Sequence, residues 1–258
     1  MHTRPLSPFG TEVFDIDVGS ISVEQAAGVR ELIGRARVAV FRGQLIDDAG
    51  LLRFLRALGE ITFTEGETPL DGAPGLNEVS NVGRKMPPRS VFHTDTSYVA
   101  RPPAFTALRA VCLPTHGGAT LFSDQVAALE TLPERCRSPL QGCSVRHRVT
   151  GLDGRSEEIS HPLFRRHPVT GEAALYLSTP ERCVALSGFD DAIGARIIRM
   201  LYRHSIRPRR LYQHAWQQGD VLVWDNRVTM HRADHHEVVG DRVLHRGMVA
   251  GEVPIAAW

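Results

Sequence analysis

Cysteine is scarce, with four in 258 residues at positions 112, 136, 143 and 183. They are widely spaced and form no CxxC pair, so neither a zinc cluster nor a disulfide framework is indicated, and they read as small buried or free thiols. No apolar run approaches the roughly 18 residues that cross a bilayer. The N-terminal stretch "MHTRPLSPFGTEVFDIDVG" lacks the uninterrupted apolar core of a signal peptide, so a cytoplasmic location with no membrane partner is expected. A charge excess of either sign is missing too: 30 Lys and Arg against 29 Asp and Glu leave a formal +1, which gives no electrostatic reason to expect nucleic acid. Repeats and low-complexity tracts are also absent.

What remains is an ordinary globular composition, 42% apolar and 23% charged. The length suits one domain over 1–258. "SVEQAAGVRELIGRAR" places Ser22 and Gln25 in capping-box spacing and Val29, Leu32, Ile33 and Ala36 at helical intervals, which predicts a helix. "VAVFRG" reads as a short buried strand. "DDAGLLRFLRALGE" reads as a second helix, capped by Asp47 or Asp48 and stopped at Gly59. A third helix is expected in "DDAIGARIIRMLYRHS", with Ile193, Ile197, Met200, Leu201 and His204 on one face and His204 as a packed structural histidine. Short Val-, Thr- and Phe-rich runs broken by Gly and Pro, including "FTALRAVCLP", "GGATLFSD", "AALYLS", "DVLVWDN" and "RVLHRGMVAG", predict strands. The fold class expected is mainly β with flanking helices, a jelly roll or sandwich. Residues 64–89 carry Gly, Pro and charge with little periodicity and read as a long active-site loop or lid.

The chemistry begins at "SVFHTDTSYVARPPA". On a strand, His93 and Asp95 would share a face while Thr94 turned away, and one imidazole beside one carboxylate supplies two corners of a metal site. A third ligand is sought in "DVLVWDNRVTMHRADHHEVVGDRVLHRGMV", where His231, His235, His236 and His245 compete. The position after "RVTM" favours His231, without the sequence alone deciding among the four. Alternation in "DRVLHRGMV" puts Arg242, Leu244 and Arg246 on one strand face. Two guanidiniums inside a barrel require anions, either internal carboxylates or ligands, whereas on an outer, solvated face they require none.

These stretches together resemble the TauD/TfdA family of Fe(II)- and 2-oxoglutarate-dependent dioxygenases. The resemblance rests on "FHTDTSY", "GGATLFSD", "HPLFRRHPVTGEAALYL" and "VWDNRVTMH", followed by arginines 242 − 231 = 11 and 246 − 231 = 15 positions on. It implies a double-stranded β-helix (cupin-like jelly-roll) core and iron held by His93, Asp95 and His231. It implies that Thr120 and Arg242 bind 2-oxoglutarate and that Arg246 meets the acidic group of the substrate. The set of two imidazoles and one carboxylate suits non-haem Fe(II), and a planar guanidinium suits the distal carboxylate of 2-oxoglutarate. The reaction implied consumes O2 and releases succinate and CO2 while a substrate C–H bond is hydroxylated. Asp95 favours hydroxylation over halogenation, because related halogenases leave that position to chloride.

The chain departs from the taurine enzymes where Thr62 or Thr64 replaces a histidine, where Pro88, Arg89 and Ser90 precede the iron motif, and where Glu181 and Arg182 follow "ALYLS". These changes point to a small anionic substrate, an amino acid or related metabolite, met by Arg246 with Glu181 and Arg89. Two rival readings use the same residues: a zinc-dependent hydrolase or lyase, and a non-catalytic jelly-roll binding protein. A dimer or tetramer is expected from the resemblance.

Overall fold

A computed structural model describes residues 1–83, 90–150 and 156–258. Among the described residues a nine-stranded sheet faces a smaller one. Along the large sheet run, in spatial order, Thr11–Phe14, Val38–Phe41, Val221–Asp225, Phe105–Cys112, Val243–Val249 and Ala73–Ser80. All these neighbours pair antiparallel except Thr11–Phe14 with Val38–Phe41. The small sheet is Leu211–His214, Thr120–Asp124 and Thr229–Ala233, with the middle strand pairing antiparallel to both others.

Period-2 alternation divides the apolar residues between two cores. Val38, Val40, Leu108, Leu222, Trp224 and Leu244 of the large sheet meet Phe122 and Tyr212 of the small one in the barrel interior. The alternate positions Ala39, Phe41, Ala107, Val221 and Val223 turn outward and pack on two helices, α1 (Val23–Ala36) and α2 (Asp48–Leu58). Helix α1 starts with the expected capping box, Ser22 and Gln25 each bonding the other's backbone. Helix α2 is capped by Asp47 and ends at Gly59. On the far side, Leu121 and Met230 of the small sheet pack with α3 (Gln125–Glu130) and α5 (Asp191–Ser205), and the short α4 (Glu134–Arg137) lies between those two in the chain.

Three expectations are corrected here. The loop expected over 64–89 is interrupted, because Ala73–Ser80 is an eight-residue strand hydrogen-bonded along Val243–Val249, and residues 84–89 lie outside the described residues. Gly75 and the polar Asn77 and Glu78 had masked its pattern, yet Leu76 is fully buried. Helix α5 buries Gly194, Ile198, Leu201, His204 and Ser205, so Ile193 and Met200 face solvent and the apolar stripe is turned by about one position from the one expected. His204 is packed as expected, its Nε2 2.8 Å from the Ala128 carbonyl oxygen. Finally, Asp95 sits in a turn rather than a strand, with Thr96 following at φ 43°.

The four cysteines are free thiols, with Cys183 buried and Cys112 exposed. Among the described residues no helix is long and apolar enough to cross a membrane.

Candidate active site

His93 is joined to the end of the small sheet through a two-way backbone bridge with His231, both N–H···O distances being 2.9 Å. That bridge makes two histidines 138 positions apart neighbours and brings their rings together, tilted by 45° with centroids at 4.4 Å. Asp95 follows in the turn. Thr94 points the other way, as the sequence predicts, donating its hydroxyl to the Leu177 carbonyl at 2.8 Å. One ligand atom from each of His93, Asp95 and His231 falls within 4.8 Å of the other two. The two imidazole Nε2 atoms lie 3.6 and 3.8 Å from Asp95 Oδ1.

Neighbouring groups orient these atoms inward. His93 Nδ1 lies 2.9 Å from the Val91 carbonyl oxygen, which fixes the proton on Nδ1 and leaves the Nε2 lone pair for a metal. Asp95 Oδ2 accepts from the Thr106 hydroxyl at 2.7 Å, so Oδ1 is the oxygen left facing the histidines. Thr106 Oγ1 in turn accepts from Asn226 Nδ2 at 2.7 Å, and Asn226 Oδ1 accepts from Trp224 Nε1 at 2.9 Å. Burial pushes the Asp95 carboxyl up, but His231, His93 and Arg246 outweigh it and hold the group well below the usual carboxylate range. Burial drives His231 down to about 3. An ionised carboxylate beside a neutral imidazole is the protonation state a divalent cation needs, and the donor set suits Fe(II).

The two arginines resolve the question of internal anions in opposite ways. Arg246 already has carboxylates: Glu67 accepts from its Nη2, Asp95 Oδ1 lies 3.7 Å from its Nη1, and Asn77 Oδ1 accepts from Nε at 3.1 Å. Arg242 has no carboxylate partner among the described residues. Its Nε donates to the Gly118 carbonyl at 2.7 Å and its Nη2 to Thr120 Oγ1 at 3.1 Å, while Nη1 is buried without a partner. Burial alone lowers this guanidinium to about 10. Thr120 Oγ1 also accepts from Trp216 Nε1 at 3.0 Å, so its own proton is left to donate. Gly118, at φ +75°, is required here: a Cβ would stand 3.0 Å from Arg242 Cδ and 2.9 Å from Pro114 Cγ. An orphaned guanidinium N–H and a free hydroxyl proton, side by side in a dry recess, form a carboxylate cradle that fits one end of 2-oxoglutarate.

Two cavities meet at these residues. A recess of about 150 Å3 is lined by Thr120, Arg242, Trp224, His231 and His93, among others. A larger one of about 720 Å3, lined by Glu67, Leu70, Asn77, Thr179 and Arg182, opens beside it, and Val79, His93 and Arg246 belong to both.

The expected site residues divide accordingly. His93, Asp95, His231, Thr120, Arg242 and Arg246 come together. Glu181 is exposed and does not line the cavity, because the chain turns there and presents Arg182 instead. Arg89 lies outside the described residues. Among the rival histidines, His235 lines the smaller recess and His236 is exposed. His245 points to the opposite strand face, its Nδ1 2.6 Å from Asp48 Oδ1. Thr64 is buried, 3.3 Å from the Thr96 hydroxyl, and does not line the larger cavity. Sequence reasoning missed Thr106, Trp216 and Glu67, which no motif singles out, and the contact made by Asn226, although that residue lies within "VWDNRVTMH".

Comparison with known proteins bears on the fold and the reaction class. The family model described as "Taurine catabolism dioxygenase TauD, TfdA family" matches residues 2–248. An alpha-ketoglutarate-dependent sulfate ester dioxygenase of Pseudomonas putida is 30% identical over 263 residues, covering 93% of this chain and 84% of the relative. An alpha-ketoglutarate-dependent 2,4-dichlorophenoxyacetate dioxygenase of Burkholderia sp. (strain RASC) is 28% identical over 265 residues, covering 90% and 88%. The crystal structure of a taurine dioxygenase from Burkholderia xenovorans superposes with a TM-score of 0.87 at 30% identity, covering 99% of this chain and 92% of that one. These matches favour the oxidative reading over the zinc-hydrolase and binding-protein readings and agree with the expected jelly-roll core. The chain therefore belongs to the TauD/TfdA family of dioxygenases, which use Fe(II), 2-oxoglutarate and O2.

Proposed function

We propose that this dioxygenase hydroxylates a small zwitterionic substrate, an amino acid or a close relative, bound in the larger cavity. The observation that carries the reading is the pairing of Arg246 with Glu67 at the junction of the two cavities. A simple anion approaching Arg246 would also meet the Glu67 carboxylate, a like-charge contact that costs affinity. A substrate carrying both an acid and an ammonium group satisfies both side chains: its acid replaces Glu67 on Arg246, and its ammonium takes the Glu67 carboxylate. Asn77, already bonded to Arg246, keeps that guanidinium aimed during the exchange.

In this reading His93, Asp95 and His231 hold Fe(II), and Arg242 with Thr120 grips the distal carboxylate of 2-oxoglutarate. When bound, the metal with 2-oxoglutarate and O2 supplies the oxidant for a C–H bond, with succinate and CO2 released. The chain's own residues orient and exclude water. Thr106 keeps Asp95 from rotating, and Trp224 and Leu108 wall the recess on its apolar side. One domain over 1–258 carries the whole site, with residues 67–70 forming one wall of the substrate cavity rather than a detached lid.

The test is succinate production across a panel of amino acids, aminosulfonates, sulfate esters and aryloxyacetates, run with the native protein and Glu67→Gln. The native enzyme should couple best to zwitterions, and Glu67→Gln should lower that preference at least about tenfold in kcat/KM while improving simple anions. A native preference for sulfate esters or aryloxyacetates, left unchanged in Glu67→Gln, refutes the zwitterion reading.

A further inference from the structure

A second concavity lies on the opposite side of the small sheet from the active site, between α5 and residues 131–136. Its volume is about 740 Å3, within the range of small-molecule pockets. Arg196, Arg199, Arg203, Arg207 and Arg209 line it, with Leu132, Pro133 and Met200 providing an apolar patch. Spacings of three and four residues put Arg196, Arg199 and Arg203 on one stripe of α5, about 10 Å long, and Arg207 and Arg209 follow beyond the helix end at Ser205.

The stripe is electrostatically unbalanced. Two helical arginines elsewhere have ion-pair partners: Arg35 pairs with Glu31 at 2.8 Å in α1, and Arg137 pairs with Glu134 in α4. Among the described residues none of the five groove arginines has an ion pair, and no carboxylate lines the groove. Like charges three and four apart on a helix repel. The helix dipole favours cations only in the last turn, which accounts for Arg203 but not for Arg196 or Arg199. Their crowding also acts on the packed groups behind them, since Arg207 and Arg209 add to the burial that lowers His204. The chain as a whole carries only +1, so the cationic patch is local and does not describe a track for nucleic acid.

We propose that this groove binds a soluble organic polyphosphate of the nucleotide type, its phosphates held by Arg199, Arg203, Arg207 and Arg209 and its ring resting on Leu132, Pro133 and Met200. Guanidiniums match phosphate oxygens in bidentate geometry, and a diphosphate concentrates several charges within a few ångströms, as the convergent arginines require. The apolar patch supplies the surface that a bare inorganic anion would not use. Nothing in this site touches the iron or 2-oxoglutarate residues, so binding is independent of turnover.

The experiment is anaerobic titration calorimetry of the iron- and 2-oxoglutarate-loaded protein with ADP, with adenosine and sulfate as single-feature controls, repeated on Arg199→Glu/Arg203→Glu and on the milder Arg199→Ala/Arg203→Ala. Saturable ADP binding, at least about tenfold tighter than either control, weakened by both variants and most by the charge reversal while succinate production stays at the native level, is the expected result. No saturable ADP binding, ADP binding equal in native and variant proteins, or sulfate binding as tight as ADP overturns the proposal.

Discussion

Individual side chains in this site are defined by what holds them. Asp95 illustrates it: one carboxylate oxygen is tied to Thr106, and behind Thr106 stand Asn226 and Trp224. Replacing Thr106 with valine keeps the volume and removes the bond, so Asp95 gains a rotation it lacks. Iron affinity should fall about 10- to 100-fold, measured by anaerobic Fe(II) titration, with the fold unchanged. Unaltered affinity would mean that the Thr106 bond does not position the carboxylate. The sequence made His93 and Asp95 legible because an imidazole and a carboxylate two positions apart form a local pattern. Thr106 and Trp216 were not legible, because their roles arise from strand pairing and loop placement that bring distant positions together. Arg242 and Arg246 were both visible as inward cations, but only the structure distinguishes the one already neutralised by Glu67 from the one left without a carboxylate.

At the scale of elements, periodicity located the helices well and their rotation less well. Helix α1 begins where its capping box says and buries Val29 and Ile33 as expected. Helix α5 was found, yet its buried stripe runs through Ile198 and Leu201 while Met200 faces solvent among arginines. Apolar residues on both sides of the stripe made its phase ambiguous in sequence. Two truncations test that phase by denaturant unfolding. Leu201→Ala should cost about 2–5 kcal/mol, and Met200→Ala should stay within about 0.5 kcal/mol. Equal costs would contradict the orientation. The strand Ala73–Ser80 was hidden for a different reason: glycine and polar residues at Gly75, Asn77 and Glu78 break its alternation, because Asn77 and Glu78 line the larger cavity.

Among the described residues the large sheet and the Leu211–His214, Thr120–Asp124 and Thr229–Ala233 sheet enclose the candidate site, and buried ionisable groups set how the molecule responds to acid. Burial lowers His147, His161, His204 and His214 below the ordinary imidazole range. Asp225 is also depressed: burial raises it, but Arg227 and His167 prevail. In both cases the unfolded chain binds protons more readily than the folded one. Stability is therefore fully present above about pH 6.5, declines as the pH falls while unfolded histidines take up protons, and declines further below about pH 4 as carboxylates follow. Asp124, raised by burial, acts in the opposite sense as one group against several. Urea midpoints should be lower at pH 5.5 than at pH 7.5, with each histidine that stays neutral contributing up to about 1.4 kcal/mol per pH unit. A flat profile would contradict the account.

The central claim is that the His93–Asp95–His231 cluster and the Arg242–Thr120 cradle together form an Fe(II)- and 2-oxoglutarate-dependent active site. The measurement that tests it most directly is succinate formation from 2-oxoglutarate by anaerobically iron-loaded protein on exposure to O2, beside Asp95→Ala and Arg242→Ala. The account predicts iron- and O2-dependent succinate from the native protein, none above background from Asp95→Ala, and a KM for 2-oxoglutarate raised about 100-fold in Arg242→Ala. Succinate production that persists in Asp95→Ala, or an unchanged KM in Arg242→Ala, would contradict it.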